Sequence, residues 1–267
     1  MTARRSKTPA RVLRVLVAED NPTNQTLVAA LLEQRGHHVS MVGNGRLAVE
    51  RAAQQPFDVI LMDVQMPEMG GLEATAAIRA AERQSGGHVP IVALTARAMT
   101  GDREQCLAAG MDAYVPKPIR SEELFAAIDA IVGSPTSAAP TTPTTSGRPA
   151  AATGTGSVDR STLLANFGGR SDLVGRVIDV FLTDAPVMLA RLGEATRTAH
   201  AADVAAAAHA IKGSAGLFSQ GQAFADARAL ELRARDGDLS SAADGYQAIE
   251  RSVSSLMQEL ERIRATL

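Results

Sequence analysis

The stretch VILMDVQMPEMGGLEA (Val59–Ala74) decides the fold of the first half of the chain. Its apolar run is typical of a strand buried on both faces, and we predict that strand over Asp58–Met62, directly before the carboxylate of Asp63. A loop with proline and glycine follows, and an amphipathic helix begins at Gly71. Strand, loop and helix in this order form one βα unit of a parallel sheet.

The same βα pattern recurs on both sides of this stretch. Further strands are predicted at Val12–Ala18, His38–Val42, Val89–Leu94 and Ala113–Val115. Helices are predicted at Asn24–Arg35, Gly45–Gln54, Gly71–Ala81, Thr100–Ala109 and Ser121–Val132. Five units of this kind predict an α/β domain over residues 12–132, with a doubly wound, five-stranded parallel sheet.

The second half of the chain has helical periodicity and no strand signals. The apolar spacing predicts helices at Asp172–Leu192, Ala201–Phe218, Gln222–Asp236 and Ser240–Leu267. Four or five helices joined by short turns predict an all-α antiparallel four-helix bundle over residues 158–267. Residues 133–157 contain only small residues, proline, threonine and one arginine, which predicts a flexible linker. The basic residues 1–11 are predicted to be a disordered tail.

Composition excludes several classes of protein. The net charge of −2 provides no basic field for nucleic acid or anionic membrane, and no apolar run approaches the 18 residues of a membrane span. Cys106 is the only cysteine, so a disulfide framework and a CxxC metal site are both excluded. A single cysteine suits a reducing compartment, and we expect a cytoplasmic protein.

Chemically capable side chains follow the predicted strands of the first domain. Ligand sites of open α/β sheets lie beyond the carboxyl ends of the strands, so these side chains are expected to converge there. They are Glu19, Asp20, Asp63, Thr95 and Lys117. The three carboxylates would repel one another unless a cation binds, and hard oxygen ligands suit Mg²⁺, with Mn²⁺ as a substitute.

Such a cluster can carry phosphoryl chemistry. A carboxylate beside Mg²⁺ and a lysine can attack a phosphoryl group, because both cations neutralise its equatorial oxygens, and Thr95 can donate a hydrogen bond to one of them. Taken singly, each residue has a simpler explanation: Asp20 or Asp63 as a helix cap or turn former, and Lys117 as a solvated loop lysine. The order of all five along the strand ends favours a site.

Four segments of the first domain resemble the receiver domain of bacterial two-component response regulators. They are VLVAEDNPTNQ, VILMDVQMPEMGGLEA, IVALTARA and DAYVPKPI. The resemblance implies a flavodoxin-like fold in which Asp63 accepts a phosphoryl group. It also implies that Asp20 binds Mg²⁺ directly and Glu19 through water, with the backbone carbonyl of Gln65 as a further ligand.

The receiver resemblance assigns further roles. Thr95 and Lys117 would hold the phosphoryl oxygens, and Ala96 would leave the group accessible. Tyr114 would be the switch aromatic that turns inward with Thr95 after phosphorylation. A cis Lys117–Pro118 bond is also implied. A competing enzyme class, the haloacid-dehalogenase phosphatases, needs a second aspartate two residues after the nucleophile, and Gln65 stands there instead.

The stretch AHAIKGSAGLF (Ala208–Phe218) contains the candidate reactive group of the second domain. A helical wheel places a core stripe on Val204, Ala208, Ile211, Ala215 and Phe218. His209 falls on another face with Lys212, Gly213 and Gly216, and we expect that face to be exposed. Glycine costs a helix about 1 kcal/mol relative to alanine, so the two glycines are interpreted as clearance around the imidazole. An incidental surface histidine is the simpler alternative.

The string H-x-[LI]-K-G-[SA] resembles the signature of histidine phosphotransfer (HPt) domains. The resemblance implies that His209 carries a phosphoryl group, with Lys212, Gly213 and Gly216 around it. Ser219 departs from the family pattern, which often has glycine ten residues after the histidine.

Together the two resemblances imply a phosphorelay protein. A sensor histidine kinase would act upstream of Asp63, and a response regulator would act downstream of His209. The sequence has no GxxxxGK[ST] string or kinase-like Gly-rich lid, so we expect phosphotransfer without ATP use of its own. The alternative function is a docking or dimerisation module that phosphorylation switches, with the bundle as an adaptor. A free-standing protein and the C-terminal part of a hybrid kinase both fit.

Overall fold

A computed structural model describes residues 11–95, 100–132 and 158–267. The predicted linker, most of the predicted N-terminal tail and Ala96 lie outside the described residues. The chain forms two compact units, which are described separately.

The first unit contains a five-stranded parallel sheet. Its strands are β1 (Arg14–Ala18), β2 (His38–Val42), β3 (Val59–Asp63), β4 (Ile91–Thr95) and β5 (Ala113–Pro116). Their order is β2-β1-β3-β4-β5 with parallel pairing throughout, as in doubly wound folds of the flavodoxin-like kind. Every residue of β3 and β4 is buried, which explains their near-continuous apolar sequences. The prediction of a doubly wound sheet is confirmed.

Five helices connect and flank these strands. They are α1 (Pro22–Gln34), α2 (Gly45–Gln54), α3 (Gly71–Ser85), α4 (Thr100–Ala108) and α5 (Ser121–Val132). Helix α1 begins at Pro22, a residue whose missing N–H suits the first helical position. Helix α3 ends later than predicted, because its polar last turn continues until Gly86 adopts a φ of 78°.

The register of the sheet aligns the carboxyl ends of the strands. Ala18 pairs with Met62, Asp63 with Leu94, and Thr95 with Pro116. The residues that follow β1, β3, β4 and β5 therefore start from one edge of the sheet. The described residues include no helix that is long and apolar enough to cross a membrane.

The second unit is a helical bundle. It contains α6 (Arg160–Asn166), α7 (Ser171–Thr198), α8 (Ala201–Gly216), α9 (Gln222–Arg235) and α10 (Ala242–Arg264). Helix α8 packs between α7 and α9, and α10 closes the ring against the same two helices. The ring of Phe218 meets Phe181 edge-on at 5.0 Å in the core. The predicted core stripe of α8 is confirmed, because all five of its residues are buried.

Helix α6 was not predicted. It has seven residues, too few to show a helical period, and its N-terminus is capped by Asp159, which accepts a hydrogen bond from the Thr162 amide.

Candidate functional site

Three carboxylates meet at the carboxyl edge of the sheet. One oxygen from each of Glu19, Asp20 and Asp63 can be chosen so that all three lie within 4.8 Å of one another. Glu19 and Asp63 are buried, with exposures of 0% and 2%. Buried carboxylates so close together form a strongly negative cluster, and oxygen donors at this spacing can hold a divalent cation. The predicted convergence of the acidic residues is therefore present.

Asp63 is held in place by its own loop and by helix α3. The amide of Gln65 donates to its Oδ1 at 3.1 Å. Helix α3 begins so close to the end of β3 that a Cβ on Gly71 would lie 2.1 Å from the backbone oxygen of Asp63. Only glycine permits this approach, which explains the glycine at the start of α3.

The other residues predicted for this edge lie on or after β4 and β5. Thr95 is the last residue of β4 and is 6% exposed. Lys117 follows β5 directly, and its bond to Pro118 is cis, as the resemblance implied. Tyr114 lies half-buried on β5 against the apolar core of the sheet. The roles of Thr95, Lys117 and Tyr114 in binding or switching stay predictions.

His209 lies in a network of charged groups between α8 and α9. Its Nδ1 is 2.8 Å from Oε1 of Glu231, a side chain that is only 1% exposed. The Nζ of Lys212 lies 2.5 Å from the other Glu231 oxygen and 3.1 Å from the same Nδ1. Arg235, one turn after Glu231 on α9, reaches Oε1 at 2.6 Å. One buried carboxylate thus has three cationic or donor partners.

The charge states of the pair follow from this network. Burial lowers the pKa of His209, and the charge of Lys212 lowers it further against the opposing effect of Glu231, so the imidazole is neutral near pH 7. Burial alone would raise the pKa of Glu231, but its interactions with His209 and Lys212 outweigh burial and bring the pKa to about 2. The ionised carboxylate is only an acceptor, so it favours the tautomer with the proton on Nδ1. Nε2 then has the lone pair.

Helix α9 packs against α8 and supplies Glu231 to the side chains of His209 and Lys212. The expectation that the face around His209 is exposed stays a prediction. The interpretation of Gly216 as clearance is corrected by the structure. A Cβ there would lie 3.1 Å from the ring of Phe224, so this glycine permits close packing of α8 against α9.

Gly213 fits the clearance interpretation better. Apart from the backbone of α8 itself and the two neighbouring residues, no atom of the described helices α6 to α10 lies within 4 Å of the position that a Cβ on Gly213 would take. The departure at Ser219 also has a structural explanation. Its hydroxyl accepts a hydrogen bond from the Gly221 amide at 3.0 Å, which closes the turn between α8 and α9.

Glu231 and Arg235 were not predicted from the sequence. A signal was present, because Glu231 interrupts the buried stripe of α9 formed by Ala227, Leu230 and Ala234. A charged residue in such a stripe requires a partner.

Comparison with known protein families identifies both units. Residues 15–129 match the family described as the response regulator receiver domain, and residues 176–266 match the Hpt domain.

Curated relatives match a little over two fifths of the chain. Hybrid signal transduction histidine kinase I of Dictyostelium discoideum is 46% identical over 121 residues, which cover 43% of this chain and 7% of that protein. Signal transduction histidine-protein kinase BarA of Escherichia coli (strain K12) is 46% identical over 112 residues, which cover 42% of this chain and 12% of that protein. The chain therefore spans a small part of the length of these relatives.

A solved structure also matches about half of the chain. It is the receiver domain of sensor histidine kinase PA1611 from Pseudomonas aeruginosa PAO1, with a magnesium ion coordinated in its active site cleft. Its sequence identity is 44%, and the match covers 46% of this chain and 100% of that chain with a TM-score of 0.43.

Proposed function

Because the chain carries a response regulator receiver domain followed by an Hpt domain, the domain pair of phosphorelay signalling, we propose that Asp63 and His209 are its two phosphoryl carriers. Asp63 accepts the group and His209 passes it on. The observation that carries this proposal is the contact between Nδ1 of His209 and the buried carboxylate of Glu231. The contact holds the proton on Nδ1 of an imidazole that burial keeps neutral, and this leaves the lone pair at Nε2, which is the form that attacks phosphorus.

In the receiver, Glu19, Asp20 and Asp63 hold a divalent cation, with the backbone carbonyl of Gln65 as a further ligand. The buried negative cluster fits Mg²⁺, and Mn²⁺ is a substitute. The bound ion supplies positive charge for the phosphoryl oxygens. Lys117 and Thr95 contact the same oxygens, and Tyr114 responds to the movement of Thr95.

Transfer to the bundle is an in-line displacement. A bond forms between Nε2 of His209 and phosphorus, and the bond between phosphorus and the Asp63 oxygen breaks, which regenerates the carboxylate. The Nδ1 proton stays on the ring, so the phosphorylated imidazole becomes positively charged. The Glu231 carboxylate, 2.8 Å away, stabilises that charge as it develops.

The partners follow from this chemistry. A sensor histidine kinase phosphorylates Asp63, and a separate response regulator takes the group from His209. We also propose that the protein works in the cytoplasm, as the single cysteine suggests.

A transfer assay tests the proposal. The whole chain is incubated with radiolabelled acetyl phosphate and Mg²⁺, and the label is sorted by its chemical stability. Acyl phosphate is expected on Asp63 and acid-labile, base-stable phosphate on His209. The His209→Gln variant should retain only the acyl phosphate, and Asp63→Ala should lose both. His200→Gln, at an exposed histidine, is the matched control and should behave as wild type.

Two outcomes separate the alternatives. Label on Asp63 alone, both in the whole chain and in a mixture of the His209→Gln and Asp63→Ala variants, would support the alternative function. In that case the protein would be a docking module that phosphorylation switches, with the bundle as an adaptor. Label that persists after Asp63→Ala would show that His209 is phosphorylated without the receiver, and the proposed order of the relay would be wrong.

A further inference from the structure

We propose that Arg235 is a positioning residue that exchanges partners when His209 is phosphorylated. In the resting protein it pairs with Glu231, and afterwards it pairs with the phosphoryl group. The inference rests on the proposed function of His209 as a phosphoryl carrier.

The starting observation is competition for one oxygen atom. Oε1 of Glu231 lies 2.6 Å from Arg235 and 2.8 Å from Nδ1 of His209, while Oε2 is held by Lys212 at 2.5 Å. Arg235 and the imidazole therefore share a single acceptor, whereas Lys212 has an oxygen of its own. The arginine weakens the hold of Glu231 on the ring as long as it stays there.

Exposure indicates which donor can leave. The Lys212 side chain is 10% exposed, and that of Arg235 is 28% exposed. Arg235 is also the last residue of α9 and pairs with Glu231 within the same helix, so this ion pair does not join two helices. It is the partner of Glu231 that can move at the lowest cost.

Charge provides the reason to move. While the imidazole is neutral, the positive charges of Lys212 and Arg235 and the negative charge of Glu231 add up to one positive charge. A phosphoryl group brings nearly two negative charges to Nε2. Nε2 belongs to the same small ring as Nδ1, the atom that shares Oε1 of Glu231 with Arg235. The planar guanidinium matches phosphate oxygens in a bidentate manner, better than it matches a carboxylate oxygen that is already shared.

The exchange has a consequence for the ring. Once Arg235 has left, Oε1 serves Nδ1 alone, at the moment when phosphorylation makes the ring positive. The hydrogen bond from Nδ1 to Glu231 therefore strengthens. Both changes stabilise phosphorylated His209 over the resting state.

The experiment measures the ionisation of the phosphoryl group itself. Whole chain with Asp63→Asn, which blocks return to the receiver, is phosphorylated with potassium phosphoramidate, and the phosphorus NMR signal is followed as a function of pH. A nearby guanidinium favours the dianion, so Arg235→Gln should raise the midpoint of this titration by about one pH unit, a tenfold change in proton affinity. Arg235→Lys keeps the positive charge, so the midpoint of its titration should lie close to that of the parent.

Arg262→Gln is the matched control. Arg262 is an exposed arginine on α10, a helix that packs against α7 and α9, and its loss should leave the titration unchanged. The inference is overturned if the titrations of Arg235→Gln and of its parent superimpose. If the parent forms no phosphohistidine at position 209, the proposed function itself fails and the inference fails with it.

Discussion

Glu231 and His209 come from neighbouring helices and meet at 2.8 Å, carboxylate to imidazole Nδ1. The signature string of the bundle lies wholly on α8, whereas this carboxylate lies 22 residues further along on α9. The reactive histidine is thus completed by a residue outside its own motif. Its tautomer and the direction of its lone pair both depend on that partner.

The first prediction concerns this pair. Glu231→Gln keeps an acceptor oxygen near Nδ1 but removes the charge that stabilises the phosphorylated ring, and it leaves Lys212 without its anion. Transfer to His209 should slow on the order of 100-fold. The rate is measured in a single turnover: Asp63 is first labelled with acetyl phosphate, and the appearance of the label on His209 is then followed. Glu261→Gln, at an exposed site on α10, should have the wild-type rate. Equal rates for the two variants would contradict the role of Glu231.

The second prediction concerns the acidic cluster. Asp20→Asn removes one of three mutually repelling charges, so it should raise the melting temperature of the chain without Mg²⁺. The same change should also weaken Mg²⁺ binding. Loss of a residue that only hydrogen-bonds to a metal ligand typically costs roughly 10- to 100-fold in affinity, and loss of a ligand itself should cost at least as much. Calorimetric titration and thermal unfolding with chelator measure the two effects. A variant that is less stable in chelator and binds Mg²⁺ normally would argue against a cation site.

The third prediction concerns Gly71. An alanine Cβ would lie 2.1 Å from the backbone oxygen of Asp63, and backbone cannot move aside as a side chain can. Gly71→Ala should destabilise the receiver by about 1–3 kcal/mol and reduce Mg²⁺ binding, because Asp63 must shift. Gly43→Ala is the control, since no described atom lies within 4 Å of its Cβ position. Denaturant unfolding compares the two, and similar midpoints would show that the close approach is unimportant.

The fourth prediction separates stability from activity at Gly213. Alanine there favours the helix by about 1 kcal/mol, and its Cβ meets no described atom of the other four bundle helices within 4 Å. Gly213→Ala should therefore stabilise the bundle. It should also slow phosphotransfer if a partner domain must approach this surface closely. A variant that is more stable and fully active would show that the glycine is not needed for clearance.

The fifth prediction concerns pH and His37. This buried histidine accepts a hydrogen bond from the Leu13 amide through Nδ1 at 3.3 Å. Burial lowers the pKa of His37, and the charge of Arg35 lowers it further. As the pH falls below about 6.5, the unfolded chain binds a proton that the folded state resists, so stability is lost on acidification.

Hydrogen exchange in peptides from β1 and β2 tests this at about pH 8 and about pH 5.5, after correction for intrinsic rates. His37→Asn retains an acceptor that does not titrate and should lose less protection in acid than wild type. The exposed neighbour provides the control, His38→Asn, which should lose as much protection as wild type. If His37→Asn lost as much protection in acid as wild type, while His38→Asn lost less, His37 would be excluded as the source of the acid-induced loss of stability.

Much of the fold follows from local patterns. Strand β2 and helices α2 and α5 have the predicted bounds, because turn residues and apolar periodicity mark both of their ends. Helix α7 continues past Leu192 to Thr198, since its polar last turns show no apolar period. The acidic edge was predictable for a similar reason: parallel strands align their carboxyl ends, whatever their side chains pack against.

The surroundings of His209 were predicted less well. A helical wheel considers only α8, so it could not show that Phe224 of α9 packs against Gly216 or that Glu231 of α9 reaches Lys212. The position of α9 depends on the packing of the whole bundle. The identity of the reactive residue was readable in its motif, but the carboxylate and the arginine beside it depend on tertiary contacts between helices.

The place of Glu231 on a separate helix has a consequence for surveys of genomes. A search that accepts any chain with the histidine, lysine and glycine string will also collect bundles in which an apolar side chain faces the ring from the next helix. We expect such proteins to fold as bundles and to carry phosphate poorly, so the residue that faces the ring from the next helix should be scored together with the string.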